Sequence, residues 1–296
     1  MANPKRPPSR EVRRLREELR QLIDRWETVI QHGAVLEGEL AQGLAQLRES
    51  RAAEMLKTIP VTQAEHPDGP IRTAALEKAG IHTMGEVLAC TRDDLVEIPG
   101  FGETSANRIF SAAQRMLEAA RQSARLQLGR DDPATLPILH TVYRALRERP
   151  LAAKAAEQAE QLRSQAKVLQ QESQPASGFF RWLLASRPQR ERATAAVEGI
   201  RALLESETAR QLTRWEEETA RAEAVGDEEV LREFQEQAAV YYTAVEEITG
   251  ADLPTSSAHG ALSDELIEAV EAFPLDTSRL TVTLRRYQRF GAQYAL

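Results

Sequence analysis

The chain has 296 residues and a formal net charge of −7, with 42% hydrophobic and only 5% aromatic residues. It is long enough for two domains, and its wealth of Ala, Leu, Glu, Gln and Arg predicts an all-α protein with much solvated helix surface. The acidic balance excludes a polycation, so any nucleic-acid contact must be a local patch.

The N-terminus, MANPKRPPSR, is basic, but no apolar h-region follows it, and no apolar run approaches the ~20 residues of a membrane span. Cys90 is the only cysteine, which excludes an internal disulfide framework and fits a reducing cytosol. A cytoplasmic, nucleoid-associated protein with no membrane partner is therefore expected.

Residues 1–57 read as an N-terminal long helix. Ser9 is its N-cap, and Val12, Leu15, Leu19, Leu22, Trp26 and Val29 recur three or four apart on one face. Gly33 and Gly43 weaken its continuation. Residues 58–70, with Pro60, Pro67, Gly69 and Pro70, read as a linker. Residues 71–130 form a unit of short helices separated by turn signals.

Residues 131–250 read as a helical hairpin of coiled-coil character, with Pro150 restarting a helix at Leu151. Ala155, Ala159, Leu162, Ala166 and Leu169 mark one arm; Val197, Ile200, Leu204, Thr208, Leu212 and Trp215 mark the other. Gly226-Asp227 is a helix stop followed by an N-cap, and a final helix carrying Leu231, Phe234, Ala238, Tyr241, Val245 and Ile248 ends at Gly250. Residues 251–296 read as a lead-in: a polar loop, a short helix (264–272), a β-like alternation in RLTVTL (279–284), and an amphipathic end.

Chemistry concentrates first in LVEIPGFGETSANRIF (95–110). Two glycines flanking one apolar residue allow positive φ and leave amide N–H groups uncovered. At the start of a helix near Glu103 those amides form an anion site, with the helix dipole behind them. Pro99 stops the preceding helix, Phe101 plugs the gap, and Ala106 is small where the helices cross. LEKAGIHTMGEVL (76–88) is a looser copy, with Gly80 ending a helix and Thr83 with Glu86 forming a capping box.

These residues resemble the helix-hairpin-helix motif, and the tandem unit looks like the C-terminal domain of the bacterial RNA polymerase alpha subunit and related DNA-repair modules. The resemblance implies duplex DNA as partner, held at its phosphates without sequence reading. Carried onto this sequence, it implicates Gly100 and Gly102, with Ser105, Arg108 and Arg115 as nearby donors. Arg121, Arg125 and Arg130 add positive charge against Glu118, while Glu103, Asp93, Asp94 and Glu97 place acid beside the hairpin.

Elsewhere the bland reading prevails. His32, His66, His82, His140 and His259 are scattered without ligand spacing, so no metal is assigned. Cys90, beside Leu88 and Ala89, reads as a buried small hydrophobe. Carboxylate runs such as Glu216-Glu217-Glu218 read as solvated faces. SGFFRWLLASRPQRER (177–192) gathers Phe179, Phe180, Trp182, Leu183 and Leu184 at the hairpin tip, followed by arginines. It reads first as a plug packed on another helix, and otherwise as a contact for a partner, DNA or a membrane surface. Residues 151–225 are the expected surface for protein partners.

Finally, LTVTLRRYQRFGAQYAL (280–296) resembles the opening of the ATPase core of Swi/Snf-type helicases, of the DEAD/DEAH-box superfamily, through Leu284, Arg285, Tyr287, Gln288 and Gly291. In that family the glutamine recognises adenine, which makes Gln288 the implied ATP contact. No Gly-x-x-x-x-Gly-Lys-Ser/Thr loop and no Asp-Glu-Ala-His box occurs in the sequence. The chain is thus expected to be the DNA-binding, regulatory N-terminal region of a Swi/Snf-type DNA-dependent ATPase, ending before the phosphate loop. ATP belongs to the parent protein and is not expected to bind this chain tightly. The alternative is a non-enzymatic DNA-binding or scaffolding coiled-coil protein, including a DNA-repair accessory factor.

Overall fold

The apolar stripe that opens the sequence folds as one uninterrupted helix, α1 (Ser9–Thr58), in the computed structural model, which describes residues 6–250 apart from Asp68, Pro70 and Arg125. Val12, Leu15, Leu19, Leu22, Trp26 and Val29 are all buried along it. Gly33 and Gly43 do not break α1. A Cβ at Gly33 would stand 3.1 Å from that of Ala152, and one at Gly43 would stand 3.2 Å from Ile138 Cγ1. Both glycines mark a close approach of another segment.

Among the described residues ten further α-helices follow: α2 (Thr73–Lys78), α3 (Met84–Ala89), α4 (Arg92–Val96), α5 (Glu103–Ser123), α6 (Leu136–Glu172), α7 (Phe179–Leu184), α8 (Arg187–Leu204), α9 (Glu207–Glu223), α10 (Asp227–Glu236) and α11 (Ala238–Thr249). Among the described residues there is no strand, only an isolated bridge between Pro60 and Thr83. The protein is all-α. The expected β-like segment 279–284, and Gln288 with it, lie outside the described residues.

Packing divides the protein into two units, one drawn from Met1–Leu40 and Leu139–Glu236, the other from Ala41–Ile138 and Gln237–Leu296. In the first, the α1 stripe meets Leu151, Ala155, Ala159, Leu162 and Ala166 of α6 and the inner faces of α8 and α9. The alanines let the helix axes approach closely. Trp26 anchors this core: its indole N–H donates to the Ala155 carbonyl at 2.9 Å, and its ring lies 5.3 Å from that of Trp215. Ion pairs link its helices at the surface, including Arg163 with Glu27 and Arg201 with Glu11. Glu216, from the acidic run, accepts from Arg25 Nε at 2.7 Å, so it is more than a solvated face.

Several helix boundaries differ from the sequence pattern. Pro150 does not restart a helix; α6 runs through it, without the hydrogen bond that an amide there would donate to the Leu146 carbonyl. The second arm is two helices, because Ser206 caps α9 by accepting from the Ala209 amide at 3.3 Å. Leu203 rather than Leu204 is the buried leucine there. The last helix is likewise split at Gln237, whose φ of −133° leaves the helical region.

The hairpin tip is also not a plug. Only Trp182 packs on the core of its unit, while Phe179, Phe180, Leu183 and Leu184 are exposed.

Candidate nucleic-acid interface

In the second unit the end of α1 contributes Ala52 and Leu56 to a core closed by Leu76, Met84, Val87, Leu95, Phe101, Ala106 and Ile109. The segment leaving α1 clamps the first hairpin: the Val61 amide donates to the His82 carbonyl at 2.9 Å, and the Met84 amide to the Ile59 carbonyl at 2.8 Å. Around this core lie the starts of α2 to α5. That of α2, at Arg72, has no side-chain cap, and its Thr73 amide donates to the Ile71 carbonyl; the starts of α3, α4 and α5 are the three that follow the turns of the unit.

Two of the three are closed by the protein's own side chains. After α2, Gly80 has φ +84°, and the bonds Ile81 N–H to Leu76 O and Gly80 N–H to Glu77 O complete a Schellman stop. At the start of α3, Glu86 Oε2 accepts from the amides of His82 at 2.6 Å and Thr83 at 2.9 Å, and Thr83 Oγ1 accepts from the Glu86 amide. At the start of α4, Thr91 and Asp94 form a second capping box, with the Thr91 amide donating to Asp94 Oδ2 at 2.8 Å. These bonds hold both carboxyls below their ordinary range: Glu86 through the His82 and Thr83 amides, Asp94 through the Thr91 hydroxyl and amide.

The third start is open. Gly100 turns the backbone with φ +80°, and Phe101 folds back into the core with its amide on the Ile98 carbonyl at 2.9 Å. Gly102 is the N-cap of α5, and its carbonyl accepts from the Ser105 and Ala106 amides. Among the described residues the amides of Gly100, Gly102, Glu103 and Thr104 have no acceptor.

Of the two glycines, only Gly100 needs its positive φ. Gly102 has φ −68° and ψ 176°, extended backbone open to any residue, and a Cβ there would meet nothing within 4 Å. Neither backbone strain nor packing asks for glycine at Gly102. What its missing side chain does provide is unobstructed access to the amides, which suits an anion.

The expected donors are placed unequally around this opening. Ser105 and Arg108 are half-buried on the first two turns of α5, and the Arg108 guanidinium lies beside Gly69. Arg115 is exposed further along and donates to the Glu65 carbonyl at 3.2 Å. Arg121 is committed internally: it bonds Glu49 at 2.5 and 2.8 Å and Glu118 at 3.2 Å, which pushes its pKa up further. Arg130 is exposed in the segment after α5, and Arg125 lies outside the described residues. Glu103 is exposed at the first position of α5, directly beside the open amides.

Other chemistry is thin. Cys90 is half-buried rather than fully buried, and burial, with Asp94 and Glu86 nearby, raises its thiol pKa. That disfavours the thiolate a nucleophile needs. Among the described residues no group of three or more His, Cys, Asp or Glu side chains could hold a metal, and no helix is long and apolar enough to cross a membrane.

No curated protein and no solved structure matches the sequence. A family model does match, over the hairpin unit alone, and it lends nothing to the Swi/Snf resemblance at 284–291. Residues 72–114 match the model of the C-terminal domain of the alpha subunit of bacterial RNA polymerase, a DNA-binding domain of helix-hairpin-helix type, and they contain the starts of α2 to α5, the open start of α5 included.

Proposed function

We propose that residues 71–130 bind duplex DNA through its phosphates, without sequence preference, with the open amides of Gly100, Gly102, Glu103 and Thr104 as the anchoring site. One observation carries this reading: in a unit matched to a DNA-binding domain, an N-cap glycine that folding does not require stands over unpartnered helix-start amides. Ser105, Arg108 and Arg115 are the supporting donors, and the backbone contact supplies position rather than base readout.

The test is a titration of labelled duplexes of two unrelated sequences at two salt concentrations, with wild type and Gly102→Asp. Wild type binds both sequences alike, more weakly as salt rises. The variant keeps its fold, since Asp is a favoured N-cap, and loses binding. Equal binding by the two proteins removes the hairpin from the interface.

The larger assignment, an N-terminal region of a Swi/Snf-type DNA-dependent ATPase, rests on Leu284, Arg285, Tyr287, Gln288 and Gly291 as a sequence resemblance. On that reading Gln288 contacts the adenine of ATP in the parent enzyme. The encoding DNA decides it. A true ATPase frame continues, within roughly a few dozen codons past Leu296, into a glycine-rich loop ending Gly-Lys-Thr or Gly-Lys-Ser. A stop codon there leaves the non-enzymatic DNA-binding or scaffolding protein as the better account.

A further inference from the structure

The short helix α7 holds an apolar surface outward instead of inward. Phe179, Phe180, Leu183 and Leu184 are 60%, 75%, 58% and 86% exposed, while Trp182, on the opposite side, packs on the core of its unit. Side chains so bare form a projection and do not line a groove.

The projection is held in place by specific bonds. Arg190 Nε donates to the Trp182 carbonyl at 3.0 Å and Nη2 to the Leu183 carbonyl at 2.9 Å, closing the end of α7. Ser186 and Gln189 cap the helix that follows.

Positive charge crowds this surface in a protein whose net charge is −7. The Arg6 guanidinium lies 5.5 Å from the Phe179 ring centroid and that of Arg190 5.8 Å from Trp182. Arg16 stands close enough to Arg181 for the two charges to repel, and Arg187 and Arg192 follow on α8. Among the described residues only Arg187 of these is answered by a neighbouring carboxylate, Glu191 at 3.0 Å, so like charges gathered around exposed rings leave a net positive field, which favours an anionic occupant. A second copy of the protein would bring the same arginines and be repelled. A bilayer would find only six residues of helix, far short of the usual interfacial segment. Aromatic rings interleaved with arginines match an anionic polymer that carries stackable rings of its own.

We propose that the α7 projection is a second nucleic-acid site, which takes unpaired bases of single-stranded DNA. Phe179 and Phe180, an edge-to-face pair with centroids 5.6 Å apart, stack on the bases. Leu183 and Leu184 wedge beside them, and Arg181 and Arg192 meet the phosphates. This site is independent of the hairpin amides.

The experiment uses the full-length protein and a fluorescently labelled oligo-dT, read by anisotropy, with Phe179→Ala/Phe180→Ala, Arg181→Glu and Gly102→Asp as variants. The aromatic double variant weakens oligo-dT binding at least about tenfold and leaves duplex binding unchanged, and Arg181→Glu weakens oligo-dT binding as well. Gly102→Asp does the reverse of the aromatic variant, so failure at the hairpin and failure here are read separately. Vesicles of anionic phospholipid form a parallel arm. The proposal is overturned if wild type binds no oligo-dT, if the double variant binds it as well as wild type does, or if the same phenylalanines control vesicle binding and not oligo-dT.

Discussion

The two glycine hairpins of the second unit have similar backbones and opposite chemistry. At the first, Gly80 makes the turn and the start of α3 is filled by the Glu86 carboxylate. At the second, Gly100 makes the turn at nearly the same φ and the start of α5 is bare. A helix start attracts anions wherever its amides lack partners. The carboxylate at residue 86 therefore makes the first hairpin a structural element, and its absence at the second leaves the amides open. A repeated motif does not imply a repeated function.

The largest effect expected from this difference is on DNA affinity. Gly102→Asp places a carboxylate over the open amides, copying what Glu86 does to α3. Duplex affinity should fall at least about tenfold, the scale of losing a charge-assisted phosphate contact, while the melting temperature holds or rises slightly, since Asp outranks Gly as an N-cap by a few tenths of a kcal/mol. A melting temperature that drops with the affinity would mean Gly102 is a folding residue, and the contrast between the hairpins would dissolve.

The next effect is on stability, at the filled hairpin. A Cβ at Gly85 would lie 3.0 Å from the Lys57 backbone nitrogen and 3.1 Å from its Cα. Backbone atoms do not swing aside as a side-chain tip can. Gly85→Ala should cost about 1–3 kcal/mol, as overpacking does, readable by urea unfolding, without selective loss of DNA binding. Stability equal to wild type would mean that α3 is not clamped against the end of α1.

Much of this was legible in the sequence, because it rests on local rules. The stripe from Val12 to Val29, the Gly80 stop, the Thr83 and Glu86 box and the Phe101 plug each follow from spacing within one or two turns. The Thr91-x-x-Asp94 box carries the same signal and was equally readable. What escaped depends on partners distant in sequence. Nothing near Arg121 announces Glu49, the carboxylate it pairs with. Helix α6 tolerates Pro150 within an element packed along much of its length, where local propensity is overridden. The exposure of Phe179 and Phe180 runs against the hydrophobic rule itself, and apolar composition at a hairpin tip does not reveal which way its side chains face. At Gly102, the sequence shows a glycine; only the backbone angles show that the fold does not need it.

A smaller effect belongs to Glu103, the exposed carboxylate at the first position of α5. It makes no capping bond of the kind Glu86 makes, and a phosphate held at these amides would meet its charge. Glu103→Lys should tighten duplex binding several-fold and steepen the dependence of log affinity on log salt by about 0.9 for one added phosphate contact. Weaker binding by the lysine variant would put the phosphate elsewhere than at these amides.

The smallest effect tests the filled starts by pH. Glu86 and Asp94 have pKa values depressed from ordinary ones of 4.5 and 3.8, by amide and hydroxyl donors that prefer the charged form. A carboxyl whose folded pKa is depressed stabilises the fold fully above its unfolded pKa. That contribution is lost as pH falls through the folded value. Between about pH 5 and pH 3 the wild-type melting temperature should therefore fall faster than that of Glu86→Gln/Asp94→Asn, in which both capping side chains remain but neither titrates. Other carboxylates, such as Glu27 beside Arg163, also titrate there, so the difference between the two curves is the quantity to read. Both side chains are fully exposed and solvent-screened, which keeps that difference modest. Parallel curves would mean that the carboxylates do not occupy the amides at all. The starts of α3 and α4 would then be as open as that of α5, and all three would be candidates for the phosphate.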